Sequence, residues 1–140
     1  MLNSRLRGGG TDTQWLALAQ GLTEQGWEVL TAGPDSAPLS AEAPALQALP
    51  RFRPLQVAAL AGLLRRSRAR IVHAHHGDDY WTALLAAQLA QTRPKVVFSR
   101  HLAKSPRAAI SRRHLFARAD AIIAVSDFVR RVLAEGHRDP

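Results

Sequence analysis

Three stretches of the sequence carry groups that could do chemistry. The first is Gly8-Gly9-Gly10 with Thr11 and Asp12. Glycines let a backbone come close to a ligand, and free N–H groups at a helix start attract phosphate. The stretch is neither G-x-G-x-x-G nor a Walker loop, because no Gly-Lys-Ser/Thr follows. An isolated triple glycine also reads as a flexible turn. The second stretch is His73, His75, His76, Asp78 and Asp79. Imidazole and carboxylate suit zinc or iron, but the spacing does not. The pattern His-x-His-x-Asp-His needs Asp at 77, where Gly77 stands. In an extended segment His73 and His75 share one face, while His76 starts the turn. His73 therefore reads as a structural histidine, and His75, His76 and Asp78 as groups lining a polar cleft. No metal is expected. The third stretch is Arg100-His101. A histidine there can hydrogen-bond a substrate hydroxyl and an arginine can pair with phosphate. A solvated loop is the alternative reading of Arg100.

Other chemistries are excluded or unsupported. The chain has no Cys, so it has no disulfide, no thiolate nucleophile and no Cys-ligated metal. No Gly-x-Ser-x-Gly elbow is present, and Ser126 reads as a helix cap. Lys and Arg number 19 against 11 Asp and Glu, for a formal charge of +8. That charge favours phosphate esters, acidic headgroups or nucleic acid without choosing among them. The single Tyr and the scattered Trp and Phe do not make the aromatic platform of a nucleic-acid binder, so none is expected. No apolar run approaches the roughly 20 residues that span a bilayer, and Met1 to Arg7 lacks the apolar core of a secretory signal.

Positioning these groups requires alternating helices and strands. With 140 residues and a 46% hydrophobic share, one domain with its own core is expected. A helix is predicted from Trp15 through Thr23, capped at its start by Thr11, Asp12 or Thr13 and stopped by Gly26. Trp27 to Ala32 reads as a strand, and residues 35–54 as a Pro/Ala/Ser-rich loop with one helical turn. A helix runs from Pro54 to a basic end at Arg65, Arg66, Arg68 and Arg70. Strands are predicted at 71–75, 95–99 and 121–125, and helices at 80–90, 108–117 and 127–135, the last stopped by Gly136. Nearly all-apolar strands alternating with helices imply an α/β fold, a parallel sheet covered on both faces. In such a sheet ligands bind beyond the carboxyl ends of the strands, where all three stretches fall. A glycine turn there should follow a first, central strand, and Met1 to Leu6 is poor strand material. Open sheet edges are therefore expected, along with a chain cut at both ends.

In order and spacing the pieces resemble the N-terminal domain of the retaining, GT-B-fold glycosyltransferases of family 4. The stretches that carry the likeness are Gly8-Gly9-Gly10-Thr11 with Leu18-Ala19-Gln20-Gly21-Leu22, and Gln25-Gly26-Trp27-Glu28-Val29-Leu30. They continue through Ile71-Val72-His73-Ala74-His75 and Val97-Phe98-Ser99-Arg100-His101 to Ala119-Asp120-Ala121-Ile122-Ile123-Ala124-Val125-Ser126 with Val129. The resemblance implies a Rossmann-like three-layer αβα domain over residues 1–140, the acceptor-side half of a GT-B fold. It also implies transfer of a sugar from a nucleotide-sugar donor, with retention, to a cell-envelope glycan or lipid-linked acceptor such as lipopolysaccharide or a glycolipid. By the same resemblance Gly9, Gly10 and Thr11 approach the donor diphosphate and His101 faces the transferred sugar as the catalytic residue. His75, His76, Asp78 and Arg100 fall at substrate contacts. No metal or other cofactor is implied. The implied location is cytoplasmic; the basic end of the helix over 54–70, with Arg112, Arg113, Arg130 and Arg131, reads either as peripheral contact with an anionic membrane face or as the solvated end of an ordinary amphipathic helix.

The family's donor-binding second domain, with its paired glutamates, is not in these 140 residues, so no turnover is expected from them alone. The rival reading is a non-catalytic Rossmann-like module for a phosphorylated ligand or protein partner. What the gene encodes beyond Gly136 discriminates the two.

Overall fold

The computed structural model describes residues 1–36, 38–103 and 110–135. Helix α1 spans Gly10–Glu24 and ends as its sequence requires. Gly26 takes φ +85°, which frees its N–H to donate to Thr23 O and that of Trp27 to donate to Leu22 O, both at 3.0 Å. This pair of bonds closes the last turn and satisfies two otherwise orphaned carbonyls. At the other end the cap is Gly9 rather than Thr11, Asp12 or Thr13.

Strand β1 is Thr31–Gly33 and β2 is Leu46–Ala48. Strand order at this edge departs from the sequence expectation twice. Trp27 to Leu30 lie outside the ladder, because pairing with β2 begins only at Thr31↔Leu46. The segment expected to be loop holds both a 3₁₀ turn, Pro38–Glu42, and β2 itself. A three-residue strand with two exposed residues has no apolar run to reveal it. The remaining elements follow the predicted pattern. They are α2 Arg53–Ser67, β3 Ile71–Ala74, a 3₁₀ turn Gly77–Asp79, α3 Tyr80–Leu89, β4 Lys95–Arg100, α4 Ile110–Ala117, β5 Ala121–Ala124 and α5 Asp127–Glu135. Ser126 does cap α5, its Oγ accepting the Val129 N–H at 3.2 Å. The predicted start of α4 at Ala108 and the predicted stop at Gly136 lie outside the described residues.

All strand pairs are parallel: β1 with β2, and β3 with β4 with β5. The two groups are joined by the amino-terminal residues. Leu2 bridges both Ala32 and Ala74. Its N–H donates to His73 O at 2.7 Å and its carbonyl accepts the His75 N–H at 3.2 Å. The spatial order is therefore β2, β1, residues 1–3, β3, β4, β5, a Rossmann-like arrangement. Met1 to Asn3, poor strand material by composition, occupies the central position because Leu2 and Asn3 are fully buried there.

One face of the sheet carries α2, α3 and α4 on a core that includes Leu2, Leu60, Leu64, Val72, Phe98 and Phe116. Small residues on α2 (Ala61, Gly62) and α3 (Ala83, Ala86, Ala87) are buried where these helices meet. Tyr80 stacks on Phe98 with ring centroids 4.2 Å apart and donates its hydroxyl to Ser99 O at 2.5 Å. A second cluster, Leu6, Trp15 and Leu16 with Met1 and Leu46 against it, seats α1 on the opposite face. The alternation of β3 then sends Val72 and Ala74 into the first core and His73 and His75 toward the α1 side.

Candidate functional site

The glycine turn is built around one carboxylate. Asp12, the third residue of α1, is buried. Its Oδ1 accepts from Asn3 Nδ2 at 2.7 Å, and its Oδ2 from the N–H groups of Arg7, Gly8 and Gly9 at 2.7, 2.9 and 3.3 Å. Burial pushes its pKa up, but the bonds from Asn3 and from the three amides outweigh that and hold it below the usual carboxylate range. The turn's own amides are thus committed inward. Among the described residues the N–H groups of Gly10 and Thr11 have no partner. A Cβ added at Gly9 or Gly10 would meet nothing within 4 Å, so packing does not demand glycine there and the outer face of the turn is open.

The imidazoles gather beside it. His73 Nε2 lies 2.9 Å from Ser99 Oγ, the partner a structural histidine needs. Its ring is 4.1 Å from that of His75, which in turn is 6.2 Å from that of His101. His75 is 2% exposed, yet neither of its ring nitrogens has a protein partner. Nδ1 of His76 and Nε2 of His101, both buried atoms, likewise have no hydrogen-bond partner. Burial first, then the amino-terminal charge and His101, lower the His73 pKa to about 4. Burial, then His73, the amino terminus and His101, lower that of His75 to about 2. His101 is also lowered, by burial and then by His76, against an opposing pull from Asp12. His73, His75 and His101 are therefore neutral near pH 7, and each neutral ring offers one donor and one acceptor. His101 is close enough to Asp12 and His76 to feel both. The ends of β3 and β4 thus meet the start of α1, as the sequence expectation required.

Two predicted residues sit apart from this group. The Asp78 carboxylate pairs with exposed Arg5, and its carbonyl accepts from Arg53 Nη1 at 3.0 Å; His76 Nδ1 is 3.9 Å from Asp78 Oδ2. Arg100 shares the strand face of Phe98, so its guanidinium lies 5.8 Å over Phe116 and about 4.0 Å from a Cβ placed on Gly77, on the other side of the sheet from His75. It is buried, not a solvated loop residue.

Sequence reasoning missed the groups that hold the site together. Asp79 is buried and accepts the Ser4 N–H at 2.9 Å and the Ser4 hydroxyl, which ties the 3₁₀ turn to the amino-terminal segment. Burial raises its pKa in spite of those bonds. Asp12 was legible only as one of three cap candidates; an acidic residue at the third helical position after a glycine cap was its signal. Missed too was a polar pocket of about 570 Å³ beside the turn, lined by Arg5, Arg7, Arg51 and Arg53 and by no acidic residue. Arg7 and Arg51, which are remote in sequence, only meet through the fold.

Among the described residues no three His, Asp or Glu side chains are grouped so as to hold a metal ion, and no helix is long and apolar enough to cross a membrane. A search of curated proteins returned no match. The sequence model of the family described as Glycosyltransferase Family 4 matches residues 8–140.

Proposed function

Because this chain belongs to Glycosyltransferase Family 4, we propose that it is the acceptor-side domain of an enzyme moving a sugar from a nucleotide-sugar donor to a glycan or lipid-linked acceptor, with retained configuration. The observation that carries this reading is the set of buried ring nitrogens on His75, His76 and His101 that have no hydrogen-bond partner. Orphaned buried polar atoms are costly unless a ligand satisfies them. Sugar hydroxyls, each a donor and an acceptor, match neutral imidazoles in kind.

The roles follow from position. Gly10 and Thr11 offer free N–H groups at a helix start, which suits a donor phosphate; Gly9, its own N–H turned to Asp12, shapes the turn. His101, uncharged at neutral pH, bonds a hydroxyl of the transferred sugar. His75 and His76 contact the acceptor, and Asp78 orders Arg5 at the rim. Arg100 supports the strand end from the helix side. Arg5, Arg7, Arg51 and Arg53 favour an anionic substituent on either substrate. Exposed Arg65, Arg66, Arg68 and Arg70 favour contact with the anionic inner face of the cytoplasmic membrane; they lie in the last turn of α2 and just after it, at the end of the sheet away from the imidazoles. The same chemistry needs no resident metal or cofactor.

Titrating uridine-, guanosine- and adenosine-diphosphate sugars into the isotope-labelled chain tests this. The expected result is shifts at the Gly10 and Thr11 amides and the His101 ring, lost in His101→Ala only at the ring and sugar-proximal signals. If no nucleotide sugar at millimolar concentration perturbs these groups, the reading fails.

A further inference from the structure

Arg5, Arg7, Arg51 and Arg53 line a pocket of about 570 Å³ at the carboxyl ends of β1 and β2, where Pro34 and Leu49 also border it. We propose that this pocket holds a phosphate or diphosphate group borne by the acceptor, apart from the place of the donor diphosphate. Resting on the sugar-transfer reading above, this makes the acceptor a phosphorylated one.

Charge selects the anion. Among the described residues no carboxylate lines the pocket. Arg5 is neutralised from outside it by Asp78, whose carbonyl also accepts from Arg53 Nη1. Arg7 and Arg51, both exposed, form no ion pair among the described residues. Three positive charges, on Arg7, Arg51 and Arg53, are thus left around one cavity, where they repel one another until an anion lies between them. A carboxylate would offset one of the three, whereas a phosphate ester brings roughly two negative charges and oxygens that fit guanidinium forks. The first turn of α2 adds to the field. Arg53 and Gln56 bring it to the pocket wall, it carries no acidic residue, and its N-cap, Phe52, makes no side-chain cap. The positive end of the helix is therefore without a counter-charge of its own. The volume is that of a site for a small organic molecule rather than for a lone ion.

Position assigns the anion to the acceptor. Residues 4–7 separate the pocket from the glycine turn. The Arg7 N–H turns to Asp12, while its side chain lines the pocket, which none of residues 8–12 does. Gly10 and Thr11, whose N–H groups suit the donor, open α1 on the opposite face of the sheet from α2. Two anion sites on opposite sides of one segment call for two anionic groups. Asp78 links the arginine pocket to the imidazoles, since its carboxylate pairs with Arg5 and lies 3.9 Å from His76 Nδ1. A phosphate among the arginines therefore anchors the same molecule whose hydroxyls meet His75 and His76.

Glucose-1-phosphate and free glucose, titrated separately into the isotope-labelled chain, test this. The sugar phosphate is expected to shift the side-chain Nε–H signals of Arg7, Arg51 and Arg53 and the Ser36 amide, saturably at millimolar concentration, and glucose to leave them in place. Arg7→Gln combined with Arg51→Gln is expected to weaken that binding about tenfold or more. Arg93→Gln combined with Arg118→Gln, which removes two exposed charges outside the pocket, is expected to leave it unchanged. Absent arginine shifts overturn the proposal, and so does an equal loss in both double variants, which would mean attraction to net charge alone. The titration is then repeated with uridine-diphosphate glucose present. If the nucleotide sugar displaces the sugar phosphate from the arginines, the pocket serves the donor and the proposal fails. Failure of the sugar-transfer reading is a different result: nucleotide sugars would leave the Gly10, Thr11 and His101 signals unmoved, whatever the arginines show.

Discussion

A single carboxylate organises the glycine turn. Asp12 collects four hydrogen bonds from Asn3, Arg7, Gly8 and Gly9, and bonds to a charged acceptor contribute about 1.5–3 kcal/mol each when only one partner is removed. Asp12→Asn keeps the shape but loses the charge and one acceptor oxygen. It is expected to destabilise the fold by about 2 kcal/mol and to speed hydrogen exchange at Arg7, Gly8 and Gly9 more than elsewhere. Unchanged exchange at those amides would show that the turn is held by other means. The catalytic argument at this scale concerns His101. Joined to a donor-binding domain, the chain carrying His101→Ala is expected to slow sugar transfer by roughly 10–100-fold while its urea midpoint stays nearly unmoved. A stability loss as large as the activity loss would make its role structural.

Between elements, the closest approach is that of β1 to the amino-terminal strand. A Cβ on Gly33 would lie 2.5 Å from Asn3 O and 3.5 Å from Leu6 Cδ1. The clash is with backbone, which cannot swing aside as a side-chain tip can. Gly33→Ala is therefore expected to cost about 1–3 kcal/mol through overpacking, measured as a lower urea midpoint with the m-value unchanged. The same alanine at Gly9, where nothing stands within 4 Å, should leave stability within about 0.5 kcal/mol. Most elements were legible from periodicity: β3, β4, β5 and the described parts of the helices lie where apolar runs put them, although α1 is capped by Gly9 and not by a side chain of Thr11, Asp12 or Thr13. β2 was not, since its three residues are mostly exposed and gain their strand form only by pairing with β1. Trp27 to Leu30 failed in the opposite sense. Their composition suits a strand, but pairing with β2 begins only at Thr31.

For the molecule as a whole, buried basic groups set the response to pH. The His73 pKa falls from 6.5 to about 4 and that of the Met1 amine from 8.0 to about 5. In both windows the unfolded chain binds more protons than the folded one, so stability must rise with pH and fall on acidification. Asp12, held low, acts in the same direction at lower pH; Asp79, held high, opposes it. The urea midpoint is expected to drop steadily from pH 8 to pH 4, with roughly 3 kcal/mol of the loss owed to His73 alone. A flat profile would mean that these groups are solvated. The sequence by itself determined the alternating α/β order, the parallel sheet, the family resemblance and the placing of glycine turn and histidines at strand ends. Those follow from local apolar periods and turn residues, which depend only on near neighbours along the chain. Only the tertiary structure decided that Met1 to Asn3 sit mid-sheet, that Asp12 takes the turn's amides, that Arg100 faces the helices, and that four arginines share one pocket. Each of these is a contact between segments far apart in sequence, and the strand face or hydrogen-bond partner that fixes it exists only once the sheet has closed around it.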